Sequence, residues 1–305
     1  MRVFVTGGTG FVGSMLTKSL ITQGHTVTLL TRKIRKNRLT PEGVSMVEGN
    51  PMERGAWQEK VADHEVLINL AGASIFRRWT EAEKRRILDS RIQTTTNLVE
   101  ALASRNGMKT TLLSTSAVGY YGFHGDETLN EESSPGNDFL ASVAREWEEM
   151  ALKAEALGVR VVRCRFGIVL GSGGGALGEM IPVFNKGLGS PLGSGKQWFS
   201  WIHQMDLVRI FLFLMEREDL SGPFNCTAPG PVRNQELTHV LGKVLEKPTF
   251  MPSVPGFVIR MVKGEFGNVL LKGQRVVPEK LLKAGFQFQY PDLLSALQDL
   301  FHPAP

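Results

Sequence analysis

Cysteine is nearly missing: Cys164 and Cys226 are the only two in 305 residues. Both sit in apolar, strand-like runs (VRVVRCRFGIVL and GPFNCTA), so neither a disulfide framework nor a thiolate metal cluster is supported, and no metal site is expected. Two small buried side chains in a reducing compartment is the simpler reading. Long apolar runs are missing as well, and none approaches the ~20 residues that a bilayer-crossing helix needs. No leader is expected ahead of the first strand, because a glycine loop begins within a few residues of Met1, and the expectation is a cytoplasmic protein. Strong charge of one sign is also absent. The formal net charge of +5 is mild, which gives no reason to expect nucleic acid as a partner. Basic residues do cluster locally, at Arg32, Lys33, Arg35, Lys36 and Arg38 and again at Arg77, Arg78, Lys84, Arg85 and Arg86. Such runs serve anionic ligands or form solvated faces.

What is present is an alternation of short apolar runs and helical patterns through the first half, the signature of an α/β fold with a doubly wound parallel sheet. Strands are expected at Arg2–Thr6, Thr26–Thr31, Val44–Glu48, Glu65–Leu70, Thr110–Thr115 and Val159–Arg165. Helices are expected at Phe11–Gln23, Thr80–Ser104 and Asp138–Leu157, with Thr80 and Glu83 as a capping box and Gly158 as a stop. After Leu170 the composition changes. GSGGGALG and KGLGSPLGSGKQW place glycines around one short helix, roughly Leu177–Lys186, a pattern suited to loops over a cleft. Pro255, Pro278 and Pro291 then open short helices. The expected division is a Rossmann domain over 1–170, to which 200–226 returns, and a smaller C-terminal α/β substrate lobe from 171–199 and 227–305.

VFVTGGTGFVGSMLTKSL reads as strand, turn and amphipathic helix. Gly7 permits the tight turn, Gly10 lets main-chain amides approach a pyrophosphate, and Gly13 lets helix and strand pack closely. Thr9, Phe11 and Val12 complete this loop, so it is expected to hold a dinucleotide. The second strand, TVTLLTRK, lacks the acid that accepts the ribose 2′-hydroxyl in an NAD site; Thr31 stands there, followed by Arg32 and Lys33. A guanidinium pairs with a 2′-phosphate that a carboxylate would repel, so NADP(H) is favoured over NAD(H). Asn50 is either an adenine contact or a turn residue before Pro51. NLAG ends the fourth strand with small residues, and Leu70, Ala71 and Gly72 would let main chain approach the cofactor.

The motifs TGGTGFVG, NLAG, STSAVGYYG, VRCRFGIVLG and WIHQMDLVR, in this order and spacing, make the chain resemble an extended short-chain dehydrogenase/reductase. GGGALGEMIPVF, GLGSPLGSGKQWFSWIH and NCTAPGPVRNQEL extend the resemblance over essentially the whole chain. They point to the atypical branch labelled "epimerase family", which is similar to nucleoside-diphosphate-sugar epimerases. The resemblance implies hydride transfer through a Tyr–x–x–x–Lys pair helped by a serine, in which the lysine lowers the tyrosine pKa. Ser116 matches that serine; as a plain residue it is a strand-end hydroxyl in a turn. A homodimer through the helices matching Thr80–Ser104 and Asp138–Leu157 is also implied.

The sequence departs from this pattern where the chemistry is concentrated. In GNDFLASVAREWEEMA, Phe139 or Leu140 falls at the tyrosine position and Val143 or Ala144 at the lysine position. A phenyl ring cannot exchange a proton. Tyr120 and Tyr121 are the candidate replacement phenols, or they line the cleft as aromatics; Asp126 and Glu127 read as an exposed turn. Where nucleotide-sugar members place an arginine after a G-x-G loop, GSGKQWFSW has Phe199, between Trp198 and Trp201, with Lys196 as a partial replacement. That substitution points away from a nucleotide sugar and toward an apolar or aromatic small molecule. Arg77, Arg78 and Trp79 either overlook the cleft or pack a helix start, and His203 and Asp206 read as structural. Two functions follow: an NADP(H)-dependent oxidoreductase or epimerase of a small molecule with a non-standard active site, or a non-catalytic NADP(H)-binding sensor or interaction module.

Overall fold

The computed structural model describes residues 1–34, 42–105 and 107–302; Arg35, Lys36 and Arg38 of the first basic cluster lie outside them. Along the chain, β1 (Arg2–Thr6), α1 (Phe11–Thr22), β2 (Thr26–Thr31), β3 (Val44–Glu48), β4 (Val66–Asn69), α2 (Glu81–Leu102) and β5 (Thr111–Ala117) form the first half. A two-residue strand, β6 (Thr128–Leu129), precedes α3 (Phe139–Leu152) and β7 (Arg160–Phe166). Then come β8 (Ile168–Leu170), α4 (Gly175–Asn185), β9 (Trp198–Phe199), β10 (Trp201–His203), α5 (Gln204–Glu216) and β11 (Gly222–Cys226). The tail holds β12 (Val232–Arg233), α6 (Asn234–Val244), α7 (Gly256–Lys263), α8 (Gly267–Leu271), β13 (Arg275–Val276), α9 (Glu279–Lys283) and α10 (Leu293–Phe301).

Seven strands form one parallel sheet in the order β11-β7-β5-β4-β1-β2-β3. The chain therefore runs outward from β1 to β3, crosses back to β4 and runs outward on the other side. This is the Rossmann arrangement, and the crevice at the carboxyl ends of β1 and β4 is its switch point. The central strands β1 and β4 are buried on both faces, which is why VFV and VLI read as apolar runs rather than alternating. One face packs Val3, Val5, Leu16 and Leu20 against Phe211 of α5, and the other packs Phe4, Leu67 and Leu98 against Trp57. A third core gathers Leu177, Phe184, Trp201, Leu237, Leu241 and Leu297 from the glycine-rich segment and the tail. Cys164 and Cys226 lie buried and unpaired on neighbouring strands.

Local chemistry sets the helix ends. Thr80 accepts from the Glu83 amide at 3.2 Å, but the Glu83 carboxylate turns to Arg86 instead of closing the capping box. Asp138 caps α3 through the Ala141 amide at 3.0 Å, and His203 Nδ1 caps α5 through the Met205 amide at 3.2 Å. After α3 a single-turn 3-10 segment (Lys153–Leu157) runs to Gly158, whose φ of +73° provides the expected stop. Pro255 and Pro278 each stand one residue before their helices, at the cap, rather than in the first turn. Pro291 precedes the Asp292 cap of α10.

Candidate active site

The glycine loop after β1 meets the loop after β4 at the switch point. Gly7 has a φ of +71°, and a Cβ there would fall 2.8 Å from the Leu70 carbonyl and the Ala71 amide. A Cβ on Gly13 would collide with the Gly7 carbonyl, so the first turn of α1 lies directly on the loop. Gly10 is the N-cap of α1 and supplies no side chain to its amides, whereas α2, α3, α5 and α10 are all side-chain capped. Open N–H groups and the positive end of a helix dipole thus face the crevice. Thr9 and Gly10 are exposed, Phe11 and Val12 half-buried. The Phe11 ring fills the space where Cβ atoms on Gly171 and Gly174 would stand, at 2.7 and 2.8 Å, so the glycine-rich loop after β8 roofs the turn.

At the end of β2, Thr31 is half-buried and its hydroxyl donates to the Lys33 carbonyl at 3.3 Å, while Arg32 and Lys33 are exposed. Glu48 pairs with Thr31 in register, and its carboxylate accepts the Ile34 amide at 3.1 Å. Asn50 forms a turn: its Oδ1 accepts from the Met52 amide at 3.2 Å and its Nδ2 donates to Glu53 at 2.7 Å. Of its two sequence readings, the turn is the one its side-chain atoms adopt. Leu70 and Ala71 are half-buried and Gly72 exposed. Behind them lies Arg91, which sequence reading passed over. Its guanidinium donates to the Ala73 and Ile87 carbonyls, covers the Trp147 ring at 5.1 Å, and would stand 3.3 Å from a Cβ on Gly72. Burial, followed by the nearby charge of Arg86, lowers its pKa to about 10.

The candidate catalytic hydroxyls sit differently from what their spacing suggested. Ser116 is buried and donates to Glu148 of α3 at 2.7 Å. Glu148 also takes Arg165 through both oxygens, at 2.7 and 2.9 Å, and Arg163 at 3.0 Å. Tyr121 is fully buried; its hydroxyl donates to Asn225 at 2.7 Å and accepts from Arg165 at 2.9 Å. Burial pushes its pKa up to about 12, against the pull of Arg165. As a proton donor at the cleft Tyr121 is therefore corrected to a core residue. Tyr120 is half-buried, and its ring lies 3.6 Å from the Arg165 guanidinium.

Phe139, one of the two residues that fall at the family tyrosine position, packs edge-on against Trp79 at 5.1 Å. Trp79 also touches Phe266, which meets Phe76 at 6.0 Å. Val143 and Ala144, the two residues at the lysine position, are both buried. Lys84 stands 5.4 Å above the Phe139 ring and is ion-paired to Glu265 at 2.5 Å. A cavity of about 370 Å³ opens here, lined by Trp79, Phe139, Asp138, Phe123 and Lys272. A second cavity of about 410 Å³ shares Phe123 and Lys272 and continues to Asp126, Lys196, Trp198 and Arg233. Asp126 is an anchor in this second cavity: it accepts from Trp198 Nε1 at 2.9 Å and Arg233 at 2.5 Å, and these contacts lower its pKa. Phe199 packs into the third core and Trp201 is buried with its Nε1 on the Gly230 carbonyl, so only Trp198 of the three reaches the cleft. His203 and Asp206 are structural. Asp206 accepts the Gln289 and Tyr290 amides at 2.9 and 2.8 Å and so clips the tail to α5.

Comparison with known proteins adds to this geometry. Residues 3–227 match the model of the NAD dependent epimerase/dehydratase family, and 254–300 match a domain of unknown function (DUF1731). The chain is similar to the chloroplastic epimerase family protein SDR39U1 homolog of Arabidopsis thaliana, with 40% identity over 98% of this chain and 86% of that protein. It is similar to the epimerase family protein YfhF of Bacillus subtilis, at 39% identity over 98% of both chains. Among solved structures, the human epimerase family protein SDR39U1 (isoform 2) with NADPH superposes at a TM-score of 0.86, with 33% identity and 100% of both chains covered.

Proposed function

Because the chain belongs to the NAD dependent epimerase/dehydratase family, we propose that it binds NADP(H) at the β1–β4 switch point and acts as an oxidoreductase or epimerase on a small carbonyl or alcohol, without the family's Tyr–Lys pair. The observation that carries this reading is the first turn of α1, which no side chain caps and which Gly13 lets lie directly on the Gly7 loop, so that its amides stay open toward the crevice. These residues fit a dinucleotide: the amides around Gly10–Gly13 would hold the pyrophosphate, the Leu70–Gly72 main chain would flank the nicotinamide half, and Arg32 and Lys33 would meet a 2′-phosphate. Glu48 accepts the Ile34 amide, and Arg32 and Lys33 are both exposed cations at the strand end. The relative solved with NADPH supports the same preference. When bound, the cofactor supplies or accepts the hydride; one proton must accompany it when a carbonyl becomes an alcohol. The chain would position the substrate under Phe11 and the 171–175 loop and between Trp79, Phe123 and Phe139. Segments 171–199 and 227–305 are assigned to the substrate lobe. Unpaired buried thiols suit a reducing compartment such as the cytoplasm.

A second reading, an NADP(H) sensor without turnover, is favoured by Phe139 or Leu140 standing at the tyrosine position and by Ser116 committed to Glu148. One experiment separates them. Calorimetry with NADPH and NADH is followed by NADPH oxidation against a panel of carbonyls. NADPH should bind roughly tenfold or more tighter than NADH, and Arg32→Ala should erase that difference. Turnover on any panel member supports the enzyme; binding with none supports the sensor; no heat with either nucleotide removes both.

A further inference from the structure

The two adjoining cavities have unequal chemistry, and that inequality points to a substrate class. The larger one gathers positive charge. Lys196, Lys272 and Arg233 line it, and Arg275 lies behind Trp198 at 4.9 Å from the ring, with its buried Nε unpartnered. Asp126 is the carboxylate on that lining, and it is already spent on Arg233 and the Trp198 indole. Glu127, next in sequence, is turned to His124. The smaller cavity is walled by the Trp79, Phe123 and Phe139 rings. Its two carboxylates are also engaged, Asp138 in capping α3 and Glu265 on Lys84. Lys272 and Phe123 line both cavities, with the Lys272 ammonium 5.4 Å from the Phe123 ring centre, so an aromatic chamber adjoins a cationic one.

We propose that this cleft takes a small molecule with an apolar, ring-bearing body and one acidic terminus, the ring lying among Trp79, Phe123 and Phe139 and the anion between Lys196 and Lys272. The proposal rests on the reading above that the cleft between the lobes is where substrate meets cofactor. Both lysines are exposed, and neither forms an ion pair with a described residue, so their charge is available to a ligand. Arg233 cannot act as a free fork, because Asp126 and the Lys196 carbonyl hold its guanidinium. Recognition by ammonium groups is by point charge, which accepts carboxylate or phosphate and does not demand the planar geometry that a guanidinium reads.

The test uses NADPH-loaded protein and four probes: phenylpyruvate, phenyl phosphate, neutral phenylacetone and UDP-glucose. NADPH binding is measured first by its own fluorescence, so loss of the cofactor reading is seen separately; in that case the probes are titrated into the free protein. Phenylpyruvate or phenyl phosphate should bind at least about tenfold tighter than phenylacetone, and whichever binds tighter identifies the acid as carboxylate or phosphate. Lys196→Met should reduce acid binding by about tenfold while leaving phenylacetone and NADPH unchanged, and Lys272→Met, beside the Phe123 ring, should reduce acid binding about tenfold more than phenylacetone binding. Equal binding of acids and phenylacetone would overturn the proposal. So would UDP-glucose binding tighter than every phenyl probe and surviving both lysine changes.

Discussion

Glu148 carries its charge at 3% exposure, and an unpaired carboxylate could not survive there. Arg165 and Arg163 stabilise it, and Ser116 adds a neutral donor. Removing the charge strands two guanidiniums, whereas removing the serine hydroxyl leaves the ion pairs intact. Glu148→Gln should therefore cost about 3–5 kcal/mol in chemical denaturation and Ser116→Ala only about 1 kcal/mol. Equal losses would show that the hydroxyl, not the ion pairs, holds this network. His64 offers a second residue-scale test. Burial holds its imidazole below the ordinary histidine pKa, outweighing the hydrogen bond to the Lys60 carbonyl. The folded state thus binds fewer protons than the unfolded chain, so its stabilising effect is complete above about pH 6.5 and is lost as the pH falls below that value. The melting temperature should drop between pH 7.5 and 5.5, and His64→Gln should show a shallower drop. The slope would shrink without vanishing, because burial lowers His25 and His203 too. An unchanged slope would rule out His64 as a contributor.

At the scale of elements, α1 separates folding from binding. Gly10 has extended backbone angles (φ −80°, ψ −176°) and a Cβ there would meet only the Gly7 carbonyl, at 3.2 Å. Aspartate is a good N-cap, so Gly10→Asp should change stability by no more than about 0.5 kcal/mol. Its carboxylate would stand against the pyrophosphate, and like charges about 4 Å apart near a surface repel by roughly 4 kcal/mol. NADPH affinity should fall at least about a hundredfold by fluorescence titration; a retained affinity would mean that the phosphates lie elsewhere. The same turn explains how much of the molecule is legible in its residues. The β1–α1 unit is coded locally by three glycines and two periodicities, and so are β2, the Thr80 cap and the Gly158 stop. The cationic cavity is not. Trp198, Arg233 and Lys272 come from three distant segments, joined by ladders (β9–β12 and β6–β13) too short to show alternation. Tyr121 was misread for the same reason: nothing beside it in sequence reveals that Asn225 and Arg165 close over its hydroxyl.

For the whole molecule, the question is how the nucleotide crevice communicates with the tail. The chain leaving the Leu70–Gly72 loop forms a strap that, together with the first turn of α2, reaches residues 264–266. Trp79 touches Phe266, Arg78 lies against Gly264, and Lys84 pairs with Glu265. The effects differ in size. The Lys84 ammonium and the Glu265 carboxylate are partly exposed, at 21% and 44%, and such a pair contributes at most about 1 kcal/mol. Trp79 fills space between Phe139 and a buried Phe266, and its loss removes both aromatic contacts and their buried area. Trp79→Ala should therefore loosen the clasp and Lys84→Met should not. NADPH at a hundred times its Kd should stabilise the protein by about 2.7 kcal/mol. In the unaltered chain that protection should extend along the strap and slow amide exchange across 256–271. In Trp79→Ala, exchange there should be faster and no longer respond to NADPH, while the first turn of α1 stays protected. If 256–271 responded equally in both proteins, the strap would not be the link, and the tail would sense the nucleotide through the 171–175 loop over Phe11 instead.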